Sequence, residues 1–188
     1  MSTASPKFDI IVGNPPYGKN SNLAVRFLNL SGQLSDRVCY VLPRTFRKHS
    51  IQNRVCANLH LIHDQTVPDC VFPGTIITCY QIWQRTSALR PHHPIVSSNA
   101  DLTFVDPASA DVCVGRVGEG PCGRVFLDRF DQRSVNSHYF IKVSNPQVIT
   151  VLQSLTHLFR AAGEQTVGLP SLSKNELISI YQAHISQC

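Results

Sequence analysis

Asn14, Pro15, Pro16 and Tyr17 stand in a row inside the stretch DIIVGNPPYG, residues 9–18. Proline fixes φ and has no N–H, so carbonyls at such a corner can be held out, free of ladder bonds. The Asn14 side-chain oxygen and one of these carbonyls can both accept from a single amino group. Two acceptors on an exocyclic NH2 localise the nitrogen lone pair and make that nitrogen a better nucleophile. The ring of Tyr17 offers a face for a flat heterocycle, worth roughly 1–3 kcal/mol per base. The set suits a planar substrate carrying an amine, such as adenine. A base inside a duplex would first have to be flipped out. The plain structural alternative is that Pro15 and Pro16 end a strand and Tyr17 covers the edge of the core.

Cations gather nearby. Arg44, Arg47, Lys48 and Arg54 follow the second apolar run, where they could contact phosphates or form a solvated helix face. Arg116, Arg124, Arg129 and Arg133 make a second basic group open to the same two readings. Phe72 is read either as an opposing face for a base or as core filler. Asp9 is expected to fix a strand start, and Trp83 to lie in the core. His92 and His93, between prolines, are expected to be exposed linker residues. His138 and Tyr139 precede a strand and could approach a base. The seven cysteines are scattered and none forms a C-x-x-C pair, so they read as reduced, mostly buried thiols, and no zinc spacing is present.

Residues 8–12 read as a short buried strand. Residues 21–34 read as a helix carrying Leu23, Phe27, Leu28 and Leu34 on one face, with Ser21 or Asn20 as cap. Strands are expected at 37–42, 59–63 and 75–84, and a short helix around 50–57. Strand, helix, strand, helix, strand in this order implies a parallel or mostly parallel sheet. Ligands of open α/β sheets sit at the carboxyl ends of the strands. The corner at residues 14–17 and the loop at 43–46 both fall there, which makes two adjacent loops at one rim.

Residues 87–110, rich in Pro, Ser and His, read as a linker or loop. Residues 111–128 read as a β-hairpin around a glycine-rich turn. A strand over 137–144 follows. Next comes a helix over 145–162, with Pro146 at its first position and Gly163 past its end. A last helix is capped by Ser171 or Ser173. The organisation is therefore an α/β core over 1–86, a linker over 87–110, and a hairpin with C-terminal helices over 111–188.

The chain has 188 residues, 43% of them apolar and 15% charged, with a formal charge of +5. That composition predicts a packed core and excludes global disorder. The positive balance tolerates a nucleic-acid partner without requiring one. No apolar run reaches the roughly 20 residues that span a bilayer, and the N-terminus lacks the apolar core of a signal peptide. The expected location is the cytoplasm.

DIIVGNPPYG resembles motif IV of the S-adenosylmethionine-dependent amino methyltransferases, above all the N6-adenine-specific DNA methyltransferases. RVCYVLPRTF (37–46) is similar to the family's next strand and loop, and VFPGTIITCYQIWQR (71–85) to its motif VIII region. The likeness covers about residues 8–85. It implies an α/β fold: the C-terminal half of a Rossmann-like class I methyltransferase sheet, with an appended α+β region. It implies catalytic roles for Asn14, Pro15, Pro16 and Tyr17. Asn14 would hold the target amine through its side chain and Pro15 through its carbonyl. Pro16 would stiffen the turn, and Tyr17 would stack on the base. Phe72 is implied as a second base contact. The implied donor is S-adenosylmethionine and the implied partner is DNA, with residues 111–188 as a candidate target-recognition region.

The family also carries a glycine-rich βαβ unit upstream of motif IV, and only eight residues precede Asp9. VGRVGEGPCG (114–123), with Gly115, Gly118 and Gly120 as G-x-x-G-x-G, is the one candidate for a displaced copy. A second apolar run follows it directly, which favours the hairpin. Three explanations stay open: a fragment of a longer product, half of a split enzyme whose partner chain holds the donor site, or a binding module that has lost methyl transfer. Protein-glutamine methyltransferases share N-P-P-Y and form a further alternative.

Overall fold

In the computed structural model, residues 8–68 and 76–186 are described. They form two compact units, one within residues 1–93 and one within 94–188. Each is mixed in secondary structure, and each has its own sheet and its own core. The boundary falls inside the expected 87–110 linker.

The first unit begins with β1 (Ile11–Gly13), which Pro15 and Pro16 prevent from continuing. A loop leads to α1 (Asn22–Leu34), then to β2 (Arg37–Pro43), a one-turn α2 (His49–Gln52), β3 (Leu59–Thr66) and β4 (Thr78–Arg85). The sheet order is β1-β2-β4-β3. β1 is parallel to β2, and β4 is antiparallel to both β2 and β3. β1, β2 and β3 thus run one way, as the βαβ pattern requires. The expected parallel or mostly parallel sheet is corrected by β4, which lies reversed between β2 and β3, so that only the β1–β2 pair is parallel.

Two expectations about burial need correcting. The strand at 8–12 is not buried: Phe8, Ile10 and Val12 are exposed, because β1 sits at the sheet edge with one neighbour. On α1 the expected apolar face is also displaced. Leu23 and Phe27 are exposed, and the buried stripe is Ala24, Val25, Leu28, Ser31 and Gly32. Of the expected face Leu28 is buried, and the helix packs through it and Val25 together with the small residues Ala24, Ser31 and Gly32. A Cβ on Gly32 would lie 2.7 Å from Leu59 Cδ1, so this close approach requires glycine. Ser31 Oγ and Tyr40 Oη meet at 2.6 Å across the same contact. Trp83 is buried, as expected, among Phe46, Leu28, Leu42, Leu59 and Val38.

The helix expected around 50–57 shrinks to one turn for an identifiable reason. Arg90 closes its end, its guanidinium donating to the carbonyls of Gln52 and Val55 (2.7 Å) and to that of Leu59 (2.9 Å) in β3. The Cys56 N–H goes to Asn29 Oδ1 at 2.8 Å instead of back along a helix. Residues 86–93 are therefore a strap rather than a loose linker. Thr86 N donates to Asn58 O and Arg90 N to Ala57 O, at 2.9 and 2.8 Å. His92 is exposed, but His93 is half-buried, its ring stacked on that of His49 with centroids 3.9 Å apart.

The second unit holds β5 (Leu102–Phe104), β6 (Val112–Gly115), β7 (Val125–Phe126) and β8 (His138–Val143), all antiparallel in the order β5-β8-β6-β7. β5 lies within the expected linker, which is corrected accordingly. The β6–β7 pair is the expected hairpin, with Cys113 opposite Phe126 and Val114 opposite Val125. The expected helix over 145–162 is two helices, α3 (Pro146–Ser154) and α4 (Thr156–Glu164), broken at Leu155, and Gly163 lies inside α4. Leu155 itself is buried with Leu152 and Phe159. At i, i+3 and i+7 the three share one face and enter one core. α5 (Lys174–Ile185) starts at Ser173, whose hydroxyl and Glu176 form a reciprocal capping box.

Five cysteines lie among the described residues, all as free thiols: Cys39, Cys79, Cys113 and Cys122 buried, Cys56 half-buried. No described helix is long and apolar enough to cross a membrane.

Candidate functional site

The ends of β1, β2 and β3 and the start of β4 share one rim of the first sheet. The register fixes this: Gly13 is opposite Tyr40, Pro43 opposite Thr78, and Thr66 opposite Cys79. Two loops leave this rim next to each other, the corner Asn14–Tyr17 after β1 and the short 3-10 turn Arg44–Arg47 after β2. The sequence placed both at a carboxyl rim, and both are there. A hydrogen bond ties them, Ser21 Oγ to Thr45 Oγ1 at 2.9 Å.

Asn14 is exposed, Pro15 buried, Pro16 exposed and Tyr17 half-buried. Neither the Asn14 side chain nor the Pro15 carbonyl has a hydrogen-bond partner among the described residues. Tyr17 covers the edge of the core, the plain structural alternative for it. Its ring packs against the core cluster beside Ile11. Its carbonyl accepts from the N–H groups of Leu23 (3.2 Å) and Ala24 (3.3 Å), which tethers the corner to the first turn of α1. Burial, and secondarily the Cys79 thiol, push the Tyr17 hydroxyl above its ordinary pKa, so it stays a neutral phenol.

The exit from the corner is left-handed. Gly18 has φ 67°, and a Cβ there would meet Leu23 Cγ at 2.7 Å. Asn20 and Ser21 follow with φ 53° and 59°. A non-glycine residue in this region costs about 1–2 kcal/mol. Ser21 stands at the N-cap position of α1 but makes no side-chain cap bond, because its hydroxyl is turned to Thr45. The expected cap is therefore at the right residue and does a different job. Arg54 reaches the same segment, donating to the Asn20 carbonyl at 3.0 Å and to Asn22 Oδ1.

The expected phosphate contacts separate on inspection. Arg47 is committed within the fold, donating through Nε to Asp64 Oδ1 at 2.8 Å and through Nη2 to Thr66 Oγ1 at 3.0 Å. Arg44 is half-buried, and its backbone N–H bonds the Ile77 carbonyl at 3.0 Å. Lys48 is half-buried at the start of α2, where its carbonyl accepts from Ile51 and Gln52. Phe72 lies outside the described residues, as do Cys70 and Cys188.

Sequence reasoning missed Asp64. Its second oxygen accepts from Gln81 Nε2 at 2.6 Å, and Gln81 Oε1 in turn accepts from Trp83 Nε1 at 3.1 Å. Gln81 is fully buried. The chain Arg47–Asp64–Gln81–Trp83 thus runs from the rim into the core. A signal existed in the polar residues set into apolar strands, Asp64 in LHLIHDQT and Gln81 in TCYQIWQR. The partners Thr45 and Arg54 carried no signal, since both contacts join residues far apart in sequence.

A donor loop needs a glycine-rich turn that leaves a strand and opens a helix. The glycines at 115, 118 and 120 instead leave β6 and return through β7. Gly118 N donates to the Pro170 carbonyl and Leu172 N to that of Arg116, at 3.0 and 2.8 Å. This segment therefore does not form the donor loop that S-adenosylmethionine would need. The described residues contain no cluster of three His, Cys, Asp or Glu that would hold a metal ion. A scan against protein-family models, a search of curated proteins and a search of solved structures each found no match for this chain, and the corner stands on its own residues and geometry.

Proposed function

We propose that the Asn14–Tyr17 corner binds a flat heterocycle through its exocyclic amine, in the manner of an N6-adenine DNA methyltransferase. One observation carries this reading: Asn14 Oδ1 and the Pro15 carbonyl are both without a hydrogen-bond partner among the described residues, at the carboxyl rim of the sheet and within three residues of Tyr17 in the chain. Together they can accept both hydrogens of one NH2. That grip polarises the amine with no strong base at hand. An exposed amide with no intramolecular partner costs the fold nothing to engage. The sheet supports the same reading, with three strands running one way and their loops meeting at one edge. Methyl transfer itself needs a donor site from outside the described residues.

A second reading has its own support. The glycine segment closes a hairpin in place of a donor loop, so the first unit acting as an adenine-binding module without transfer fits this chain equally well.

The test is an NMR titration with adenosine and with a short adenine-containing single strand, following the Asn14 side-chain amide and the Tyr17 ring. Binding should shift both. Asn14→Ala should weaken it about tenfold, as loss of a hydrogen bond of about 1.4 kcal/mol does, with the urea midpoint unchanged. Inosine, which offers no amine, should bind no better than Asn14→Ala binds adenosine. Equal affinity of the wild-type protein for adenosine and inosine would sink the proposal.

A further inference from the structure

The geometry points to Arg54 as the positioning residue of the corner, a role that rests on the adenine-binding reading above. The corner does not hold its own exit in place. Asn20 and Ser21 keep left-handed backbone in succession at φ 53° and 59°. Left to local preference, both would turn right-handed and lengthen α1 at its start. Two long-range contacts oppose this. The Arg54 guanidinium donates to the Asn20 carbonyl (3.0 Å) and to Asn22 Oδ1, across 34 and 32 residues of sequence. Ser21 Oγ meets Thr45 Oγ1 at 2.9 Å across 24.

Arg54 is itself anchored. Its carbonyl accepts from Asn29 Nδ2 at 3.1 Å, and the N–H of Cys56 donates to Asn29 Oδ1 at 2.8 Å. The turn after α2 therefore grips α1 at Asn29 and reaches back along the helix to its first residues. The planar guanidinium suits this task, since it engages two acceptors at fixed angles.

The consequence for the site runs through Tyr17. Its carbonyl bonds the N–H groups of Leu23 and Ala24, an arrangement that exists only while Asn20 and Ser21 stay left-handed. If they relax, those two N–H groups gain partners within a longer helix. Tyr17 then loses its tether, and the Asn14–Pro15 acceptors lose their fixed position relative to its ring. Backbone held away from its preferred region gathers where function needs a fixed geometry. Here the strained segment lies three residues past the ring that would stack on the base.

The test compares wild type, Arg54→Met, Arg54→Lys and Asn22→Ala. Residual dipolar couplings across residues 18–23 report the sign of φ at Asn20 and Ser21 without any ligand. Adenosine titration reports affinity. Arg54→Met should lose the left-handed pair and bind adenosine about tenfold more weakly, the effect of about 1.4 kcal/mol. Arg54→Lys should keep the Asn20 contact alone and fall between the two. Asn22→Ala leaves Arg54 in place and removes one acceptor, so it gives the same intermediate result if Arg54→Met fails to fold. Retention of both φ signs and of full affinity in Arg54→Met and in Asn22→Ala overturns the role of Arg54. A wild-type protein indifferent to adenosine overturns the base-binding reading, and the role of Arg54 toward a base with it.

Discussion

Asp64 shows how one side chain can join a rim to a core. Its carboxylate faces the Arg47 guanidinium on one side and the fully buried Gln81 amide on the other. Asp64 and Arg47 are each about a quarter exposed at the side chain, so their ion pair is partly screened and contributes modestly. The larger effect comes from Gln81. Asp64→Ala would leave Gln81 Nε2 without its acceptor in a dry environment, which costs about 1–3 kcal/mol. We expect that loss in the urea midpoint of the first unit. We expect Arg47→Met, which keeps the Asp64–Gln81 bond, to lose less. If Arg47→Met proves the more damaging of the two, the ion pair and not the buried amide dominates. The placement of the corner was legible at this scale, because proline after an apolar run must end a strand and the following Tyr has few ways to turn. Asp64 was not legible as a link. A lone acid in a strand reads as a solvent-facing residue until its partners, 17 residues away on either side, are known.

The elements carry the pH dependence. The strap at residues 86–93 closes on α2 through the His49–His93 stack. Burial, then the nearby His49, Arg90 and His92, hold the His93 imidazole below its ordinary pKa. Burial, reinforced by Arg133 and opposed by a bond to the Ser134 carbonyl, does the same for His138 at the start of β8. Both shifts have the same sign for stability. The unfolded chain takes up a proton near pH 6.5 that the folded chain resists, so stability falls as pH drops below about 6.5. A urea midpoint lower at about pH 5.5 than at about pH 7.5 is the expected result, and His93→Asn should flatten the difference in the first unit. A midpoint that rises on acidification would contradict the assignment. Most strands and the capped helices could be read from periodicity and end signals, the cap of α5 falling on Ser173, one of the two serines expected. The packing face of α1 could not, since apolar size pointed to Leu23 and Phe27 while Gly32 and Ala24 make the contact. Nor could the shortening of α2, which depends on an arginine 38 residues downstream of Gln52.

At the scale of the whole chain, two cores share no residue. The break between them was visible as a change in composition after residue 86, but its position was not. Residues 86–93 look like linker in sequence and are fixed by backbone bonds to Ala57 and Asn58. The reversed β4 was equally hidden, because strand propensity carries no direction. Each unit also buries its own thiols, Cys39 and Cys79 in the first and Cys113 and Cys122 in the second. Burial pushes Cys79 up to about 12 and Cys113 up to about 11, so neither supplies thiolate while its core is closed. Among the described cysteines, iodoacetamide should therefore modify half-buried Cys56 first and the four buried ones only upon opening. Mass spectrometry across a urea series should then give one labelling midpoint for Cys39 with Cys79 and another for Cys113 with Cys122. A single shared midpoint would mean that the halves open as one. The thiols hidden in each half thus serve as native probes, from which a covalent adduct reports which half opened and how often, with no added dye.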